Sequence, residues 1–373
     1  MEQPIRILQV LGKLNRGGAE AMIMELYRHV DRNLVQFDFV EHTDEICAYE
    51  DEIKALGGTI YRFPRYRGYN HLDYTTKWKQ FFEQHKEYQV VHCHIRSTAS
   101  LICKIAKRQG RHTIVHSHNT NNGGGLSAFV KKLLQKNITG HADYLFACSS
   151  EAGRWLFGKQ IEKNDRFRLF HNAVDSKKFA YSETSRVSAR EALGLDDDAL
   201  VVGTVGRLTE QKNPYGILDI IERLHQVKPE AKMLWIGTGE LAADIQQKIQ
   251  EKSLSNVVLM LGARSDVASL MQAMDVFILP SFWEGLPVVG IEAQAAGLPS
   301  LLSDQISPEV VITDCCKQIP LEPLDRWVQE ILEASSKPHK PMQAEIVAAG
   351  YDIDDTSKML QDLYLELHGI KRG

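Results

Sequence analysis

Short apolar runs alternate with helical patterns along this chain, and the alternation starts twice. In the first half, the runs that read as strands are 5–11, 37–41, 90–93, 113–116 and 144–148. A second series begins at residue 200, with runs at 200–206, 233–236, 257–261, 276–279 and 300–303. Strands separated by helices form parallel sheets that are covered on both faces. The sequence therefore predicts an α/β protein with two Rossmann-like domains, which we expect to face each other across a cleft.

The length and one polar segment predict where these domains divide. A chain of 373 residues suits two domains, because single cores rarely grow beyond about 250 residues. We predict an N-terminal domain over 1–175 and a C-terminal domain over 176–354, since the segment 172–185 is polar and loses its periodicity. The stretch 355–373 begins as a helix with one apolar face, which is long enough to cross back to the first domain: Met359, Leu360, Leu363 and Leu367.

Composition indicates a soluble, globular, cytoplasmic protein. Of its residues, 43% are hydrophobic and 25% are charged. We expect no signal peptide and no membrane-spanning segment, since no apolar run reaches about 18 residues. The six cysteines lack C-x-x-C spacing, so we expect reduced thiols rather than a zinc ribbon. No nucleic-acid partner is expected.

Positive charge is concentrated in one part of the chain. Residues 60–142 hold 14 Lys and Arg against 3 Asp and Glu, although the whole chain has a net charge of −4. Two segments concentrate this charge, 104–111 and 129–136, and the second combines apolar side chains with Lys131, Lys132 and Lys136. Such asymmetry predicts an anionic partner for the N-terminal half. The alternative is a solvated helix face with an ordinary core stripe.

Two glutamates flank a short helix that follows the run 276–279. Pro287 favours a first helical turn, and Gly297 with Pro299 marks the end. The free amides of that first turn suit a phosphate. Glu284 precedes the helix and Glu292 lies about one turn inside it, so each carboxylate is placed to accept hydrogen bonds from sugar or ribose hydroxyls. The alternative is a pair of solvated surface glutamates.

Two cations follow the first strand of the second series. Arg207 and Lys212 lie five residues apart, just before an Asn-Pro helix start. A guanidinium fork and a compact ammonium together suit a diphosphate. We expect both side chains to be exposed at a cleft, and the alternative is two ordinary surface cations.

The N-terminal half offers glycines and histidines at strand ends. Gly17 and Gly18 let a backbone approach a ligand closely, although they match neither a P-loop nor G-x-G-x-x-G; a simple tight turn is the alternative. His118 ends its strand and is the histidine we expect to act on a ligand. We interpret His92, His94 and His116 as structural, because no further ligand stands at a recognisable metal-site spacing.

Together these motifs resemble glycosyltransferase family four, and they look closest to its EpsF-type exopolysaccharide-biosynthesis enzymes. The resemblance covers nearly the whole chain and is carried by these residues: Asn15 to Glu20, His116 to Thr120, His171 to Asp175, Gly206-Arg207, Lys212-Asn213, Gly237-Thr238-Gly239, Glu284 and Glu292. One departure is Ala173, where the family usually has glycine.

The resemblance implies the two-domain GT-B fold and a retaining, metal-independent transfer from a nucleotide-sugar, with UDP the expected nucleotide. It implies that Arg207 and Lys212 neutralise the leaving diphosphate and that Glu292 binds the ribose. By the same resemblance, the sugar is held by Glu284, by the segment that comprises Gly285, Leu286, Pro287 and Val288, and by His118, while Gly17 and Gly18 let the first loop approach the donor.

The resemblance also implies a glycan or lipid-linked acceptor, which makes an anionic membrane surface the expected partner of the basic N-terminal half. We therefore expect a cytoplasmic protein docked peripherally on the inner leaflet, with no metal and no other cofactor. Two alternatives stay open: a nucleotide-sugar epimerase on the same architecture, and a non-catalytic scaffold that binds sugar nucleotides.

Overall fold

The computed structural model describes residues 3–15, 17–118, 135, 137–196 and 198–370. The described chain forms two compact units, each built on one parallel sheet. The first sheet has the order β3-β2-β1-β4-β5-β6-β7. Its strands are β1 Ile5–Val10, β2 Val35–Glu41, β3 Ile60–Arg62, β4 Tyr88–Cys93, β5 His112–Ser117, β6 Tyr144–Ala147 and β7 Phe167–Leu169.

Helices connect these strands, as parallel pairing requires. In the described part of the first unit they are α1 Gly18–His29, α2 Glu50–Ala55, α3 His71–Gln84, α4 Ala99–Arg108, α5 Ile138–His141 and α6 Ser150–Phe157, with a 3-10 turn at Ile161–Lys163. Apolar side chains at helical spacing explain α1, whose buried stripe includes Ile23, Leu26 and Tyr27.

The second sheet repeats this arrangement with six parallel strands, in the order β10-β9-β8-β11-β12-β13. They are β8 Val201–Val205, β9 Lys232–Ile236, β10 Val258–Gly262, β11 Val276–Leu279, β12 Ser300–Ser303 and β13 Cys316–Ile319. The helices are α7 Ser176–Phe179, α8 Glu183–Leu193, α9 Pro214–Val227, α10 Ala242–Glu251, α11 Val267–Gln272, α12 Val288–Ala295, α13 Leu324–Ser335 and α14 Gln343–Ala348. The prediction of two Rossmann-like α/β domains is confirmed.

The units divide at Asn172/Ala173 and again at Asp352/Ile353. The first boundary lies three residues before the predicted one, because the segment after it pairs with the end of the second unit. Val174 forms a β-bridge with Asp352 and its N–H donates to Tyr351 O at 2.8 Å.

The C-terminal helix, α15 Ile353–Leu367, returns to the first unit as predicted and packs on α1, β2 and β4. Of the predicted apolar face, Leu360 is buried, whereas Met359 is 52% exposed and Leu363 and Leu367 are only partly buried. The other buried side chains of the helix include Ile353, Tyr364 and Leu365.

Within the described ranges, no helix combines the length and the apolar composition that crossing a bilayer requires. The basic segment 129–136, with Lys131, Lys132 and Lys136, lies outside the described residues. The other basic segment, 104–111, begins within α4, and the apolar side of that helix is already buried in the core of the first unit. The exposed side chains of this helix are Lys104, Lys107 and Arg108.

Candidate functional site

The order of the second sheet reverses between β8 and β11, which are neighbours although β9 and β10 come between them in sequence. The loops that leave β8 and β11 on either side of such a reversal diverge and open a crevice at the carboxyl ends of the strands. One of these loops carries Arg207 and Lys212, and the other carries Glu284. The fold thus brings together two motifs that are distant in sequence.

Arg207 and Lys212 line one small recess at the end of β8, together with Gly206 and Leu208. A Cβ at Gly206 would lie 3.1 Å from the Lys212 side chain, so a larger residue there would shift that side chain. Gly237 supports the loop from the end of β9. It has a φ of +137°, and a Cβ there would lie 1.9 Å from the carbonyl oxygen of Gly206. Any other residue at position 237 would displace the cation-bearing loop.

Lys212 and Glu284 form an ion pair within the second unit. The Lys212 Nζ lies 2.6 Å from Glu284 Oε1, and the two side chains are 19% and 11% exposed. Ser281 Oγ donates to the same carboxylate oxygen at 3.2 Å. Arg207 is exposed, as expected, but the expectation that Lys212 is exposed is wrong. The loop after β11 covers Lys212, and sequence spacing within the first loop could not show that.

The two loops are also joined by backbone and amide hydrogen bonds. Gln211 Nε2 donates to Trp283 O at 2.9 Å, and Phe282 N–H donates to Gln211 O at 2.9 Å. Asn213 Nδ2 donates to Pro280 O at 3.1 Å, while its Oδ1 accepts from the Gly216 N–H and caps α9. The sequence interpretation missed Gln211 and Ser281. The sequence offered only one indication of their role, which is that Gln211 adjoins Lys212 and Ser281 lies three residues before Glu284.

Helix α12 begins at Val288, so Pro287 stands one residue earlier than predicted, at the N-cap position. The prediction that this helix is short is confirmed, since it has eight residues. The first bond of the helix, from Gly290 N–H to Pro287 O at 3.0 Å, leaves the preceding amides, including that of Val288, outside the intrahelical pattern.

Gly285 and Leu286 lie in the partly buried loop between Glu284 and the helix. Glu292 lies one turn after Val288, on the same face of α12. These residues therefore belong to the same loop-and-helix element as the ion pair.

Gly17, Gly18 and His118 belong to the first unit. Gly17 is the N-cap of α1, and a Cβ there would lie 2.3 Å from Glu20 Oε2. Gly18 is the first residue of the helix and has open space beside it. The loop after β1 therefore turns directly into a helix N-terminus, and it does so at the carboxyl edge of the first sheet.

The first unit also brings its four predicted histidines into one cluster. His92 and His116 lie within β4 and β5, and His94 and His118 lie just after those strands. The His94 and His118 rings are 5.1 Å apart, and His116 and His118 are 4.0 Å apart. Burial is the largest cause that lowers the pKa of all four imidazoles, and for His118 it lowers the pKa to about 3. The four rings are therefore neutral at physiological pH.

Neutral imidazoles are potential metal ligands, and His92, His94 and His116 each offer a ring nitrogen within 4.8 Å of the others. Both nitrogens of His94 are engaged, however. Its Nε2 lies 2.9 Å from Gln9 Oε1, and its Nδ1 lies 2.9 Å from His118 Nε2. A ligating nitrogen needs a free lone pair. The arrangement is therefore suited to a hydrogen-bonded chain rather than to a tri-histidine metal site.

Two family models cover most of the chain. The model for Glycosyltransferase Family 4 matches residues 16–178, and the model for Glycosyl transferases group 1 matches residues 185–351. The two matches correspond closely to the two units.

Individual relatives agree with these models. The chain is 32% identical over 371 residues to a protein named as the glycosyltransferase EpsF of Bacillus subtilis, covering 96% of each chain. It is 28% identical over 229 residues to an Escherichia coli UDP-Gal:alpha-D-GlcNAc-diphosphoundecaprenol alpha-1,3-galactosyltransferase, covering 59% of this chain and 58% of the other. Among solved structures, HepE of Anabaena in complex with UDP and glucose matches with a TM-score of 0.75 at 18% identity, over 96% of this chain and 99% of that one.

Proposed function

The chain belongs to the family-four, group 1 glycosyltransferases, and on this premise we propose that it moves a sugar from a UDP-sugar to a glycan or lipid-linked acceptor, with retention at the anomeric carbon. The observation that carries the proposal is the meeting of Arg207, Lys212 and Glu284 where the second sheet reverses. This is where open α/β sheets bind nucleotides. HepE, the structural neighbour solved with UDP and glucose, supports UDP as the nucleotide.

Each group has a proposed role in holding the donor. The Lys212 ammonium has three N–H donors, of which one meets Glu284, so two remain for diphosphate oxygens. Arg207 adds a bidentate fork from the same loop. The unbonded amides at the start of α12 suit the phosphate as well. Glu284, with the segment from Gly285 to Val288, holds the sugar, and Glu292 binds the ribose hydroxyls.

The transfer step needs charge stabilisation on the leaving group. The bond from the anomeric carbon to the diphosphate oxygen breaks, and its electron pair stays on that oxygen. Arg207 and Lys212 stabilise this charge without a metal ion. The acceptor hydroxyl bonds to the anomeric carbon from the same face, and its proton passes to the leaving phosphate oxygen. His118 and the glycines Gly17 and Gly18 are assigned to the donor by family resemblance.

A screen followed by a transfer assay tests the proposal. Thermal-shift measurements with nucleotide sugars identify the donor, and mass spectrometry with lipid-linked acceptors detects the product. We expect stabilisation by UDP-sugars and an acceptor that gains one hexose. The Arg207→Ala/Lys212→Ala double variant is the control and should lose transfer. Formation of an epimer without acceptor would favour an epimerase, and binding without turnover would favour a scaffold. Either result would contradict the proposed transfer.

We further propose that the first unit docks on the anionic inner face of a membrane, which would bring the enzyme to a lipid-linked, exopolysaccharide-type acceptor. The described residues offer exposed Lys104 and Arg108 on one side of α4. Elsewhere in this unit, Tyr69 and Leu72 are 83% and 78% exposed beside exposed arginines. Aromatic and apolar side chains beside basic residues are typical of interfacial binding, with each cation near the surface worth about 1 kcal/mol.

Flotation with liposomes tests the docking. Wild type should float with vesicles that contain anionic lipid, and the binding should fall steeply with salt. Lys104→Glu/Arg108→Glu should weaken flotation, and reversing Lys131, Lys132 and Lys136 should abolish it while leaving donor binding intact. Lys337→Glu/Lys340→Glu, a matched charge change at exposed residues of the second unit, is the control. If wild type fails to float at low salt, the membrane assignment is wrong.

A further inference from the structure

A chain of buried hydrogen bonds leads from the C-terminal helix to His118. The Tyr364 hydroxyl of α15 is hydrogen-bonded to His92 Nδ1 at 2.7 Å and accepts from Gln9 Nε2 at 3.1 Å. Gln9 Oε1 and His118 then contact the two nitrogens of His94, each at 2.9 Å. Gln9 and Tyr364 are 1% and 0% exposed, so solvent does not compete for these bonds.

With the Gln9 amide oriented so that its Nε2 faces Tyr364 and its Oε1 faces His94, the chemistry of each partner fixes where the protons lie. An amide oxygen only accepts, so His94 carries its proton on Nε2. The His94 Nδ1 of that neutral ring is then an acceptor, and the proton between the two rings must come from His118 Nε2. His118 in turn has a bare Nδ1. That nitrogen is buried and has no hydrogen-bond partner among the described residues, although His118 as a whole residue is partly exposed.

We propose that Gln9, His94 and Tyr364 are positioning residues that hold His118 in one tautomer, with its proton on Nε2 and its unpartnered Nδ1 kept as a hydrogen-bond acceptor. The hydrogen-bond donor that would bind to His118 Nδ1 is a hydroxyl of the sugar substrate. This inference rests on the proposed function, in which His118 contacts the sugar. It adds that the C-terminal helix sets the orientation of that histidine through the Gln9 amide.

The orientation of the Gln9 amide decides the direction of the whole chain. If the amide were rotated by half a turn, Gln9 would donate to His94, the proton between the rings would come from His94, and His118 Nδ1 would become a donor. In the orientation described, Gln9 Nε2 donates to the Tyr364 hydroxyl oxygen, and this bond holds the amide in place. Removing the Tyr364 hydroxyl should therefore let the Gln9 amide rotate, so that His118 is no longer held in a single tautomer.

Nitrogen NMR of ¹⁵N-histidine-labelled protein tests the assignment directly, since the two tautomers give different nitrogen shifts and couplings. Wild type should show His94 and His118 protonated on Nε2. Tyr364→Phe should give a mixture of His118 tautomers and lower turnover about three- to tenfold, the effect of one lost hydrogen bond. Tyr88→Phe is the matched control: it also removes a buried hydroxyl of the first unit, one that bonds Asp38 at 2.9 Å, and it should leave the tautomer and turnover unchanged.

Three results would overturn the proposal: a wild-type His118 protonated on Nδ1, an unchanged His118 spectrum in Tyr364→Phe, or a changed tautomer with unchanged turnover. A wild type that transfers no sugar, yet shows the expected tautomer and its release in Tyr364→Phe, would refute the proposed function and leave the positioning chain standing. The two failures are thus distinguishable.

Discussion

Replacing Lys212 by glutamine separates two roles that the ion pair with Glu284 combines. The two side chains are 2.6 Å apart and only 19% and 11% exposed, so Lys212→Gln leaves a largely buried carboxylate without its cation. Leaving a buried polar group without its partner costs about 1–3 kcal/mol, and a fully buried charge costs more; because Glu284 keeps some contact with solvent, we expect about 2 kcal/mol. For a domain of this size, about 2 kcal/mol lowers the melting temperature by roughly 4–8 °C. The same change removes a cation from the leaving phosphate, which should lower turnover by about 10²-fold or more.

The double variant Lys212→Gln/Glu284→Gln makes the experiment decisive. Two amides of similar shape can form a neutral hydrogen bond, so the melting temperature should return to within about 2 °C of wild type. Turnover should stay low, because the cation is still missing. Thermal denaturation and a transfer assay on the same preparations provide both readouts. An unchanged melting temperature in Lys212→Gln would show that the pair contributes no stability, and recovered turnover in the double variant would show that catalysis does not need the cation.

Four further predictions follow from the site and the histidine cluster. Arg207→Ala should lower turnover by about 10²-fold or more with no change in melting temperature, since the side chain is exposed; equal losses of stability and activity would contradict this. Glu292→Ala should weaken UDP itself in calorimetry, whereas Glu284→Ala should weaken UDP-sugar more than UDP; unchanged UDP affinity in Glu292→Ala would refute the ribose assignment. Transfer should survive EDTA, and loss that manganese or magnesium restores would overturn the metal-free mechanism. Stability should fall as pH drops below about 6.5, because the unfolded histidines bind protons that the buried ones, with their lowered pKa values, do not. Each such histidine adds up to about 1.4 kcal/mol per pH unit to the slope of the unfolding free energy against pH. Thermal melts from pH 8 to 5 measure this slope, and His118→Asn should reduce it. A flat profile would contradict the burial of the cluster.

The sequence by itself determined the two-domain architecture, because apolar runs separated by helical patterns have few other ways to bury both faces of a sheet. The predicted strands 276–279 and 300–303 coincide with β11 and β12, which lie between other strands and are fully buried. The edge strands β3, β7 and β13 were missed. They have only three or four residues, and at most two of these are buried in each strand, so their apolar signal is too short to recognise.

Only the tertiary structure decided which of the marked residues meet. Arg207, Lys212, Glu284 and Glu292 were visible in the sequence as motifs at strand ends, but strand order is a property of the whole sheet. The ion pair between Lys212 and Glu284 exists because β11 lies beside β8. The contact of Gln9 with Tyr364 spans 355 positions and depends on α15 returning to the first unit. Local patterns determine which segments become strands and helices, whereas such long-range contacts depend on how all the elements pack together, and no local pattern records that.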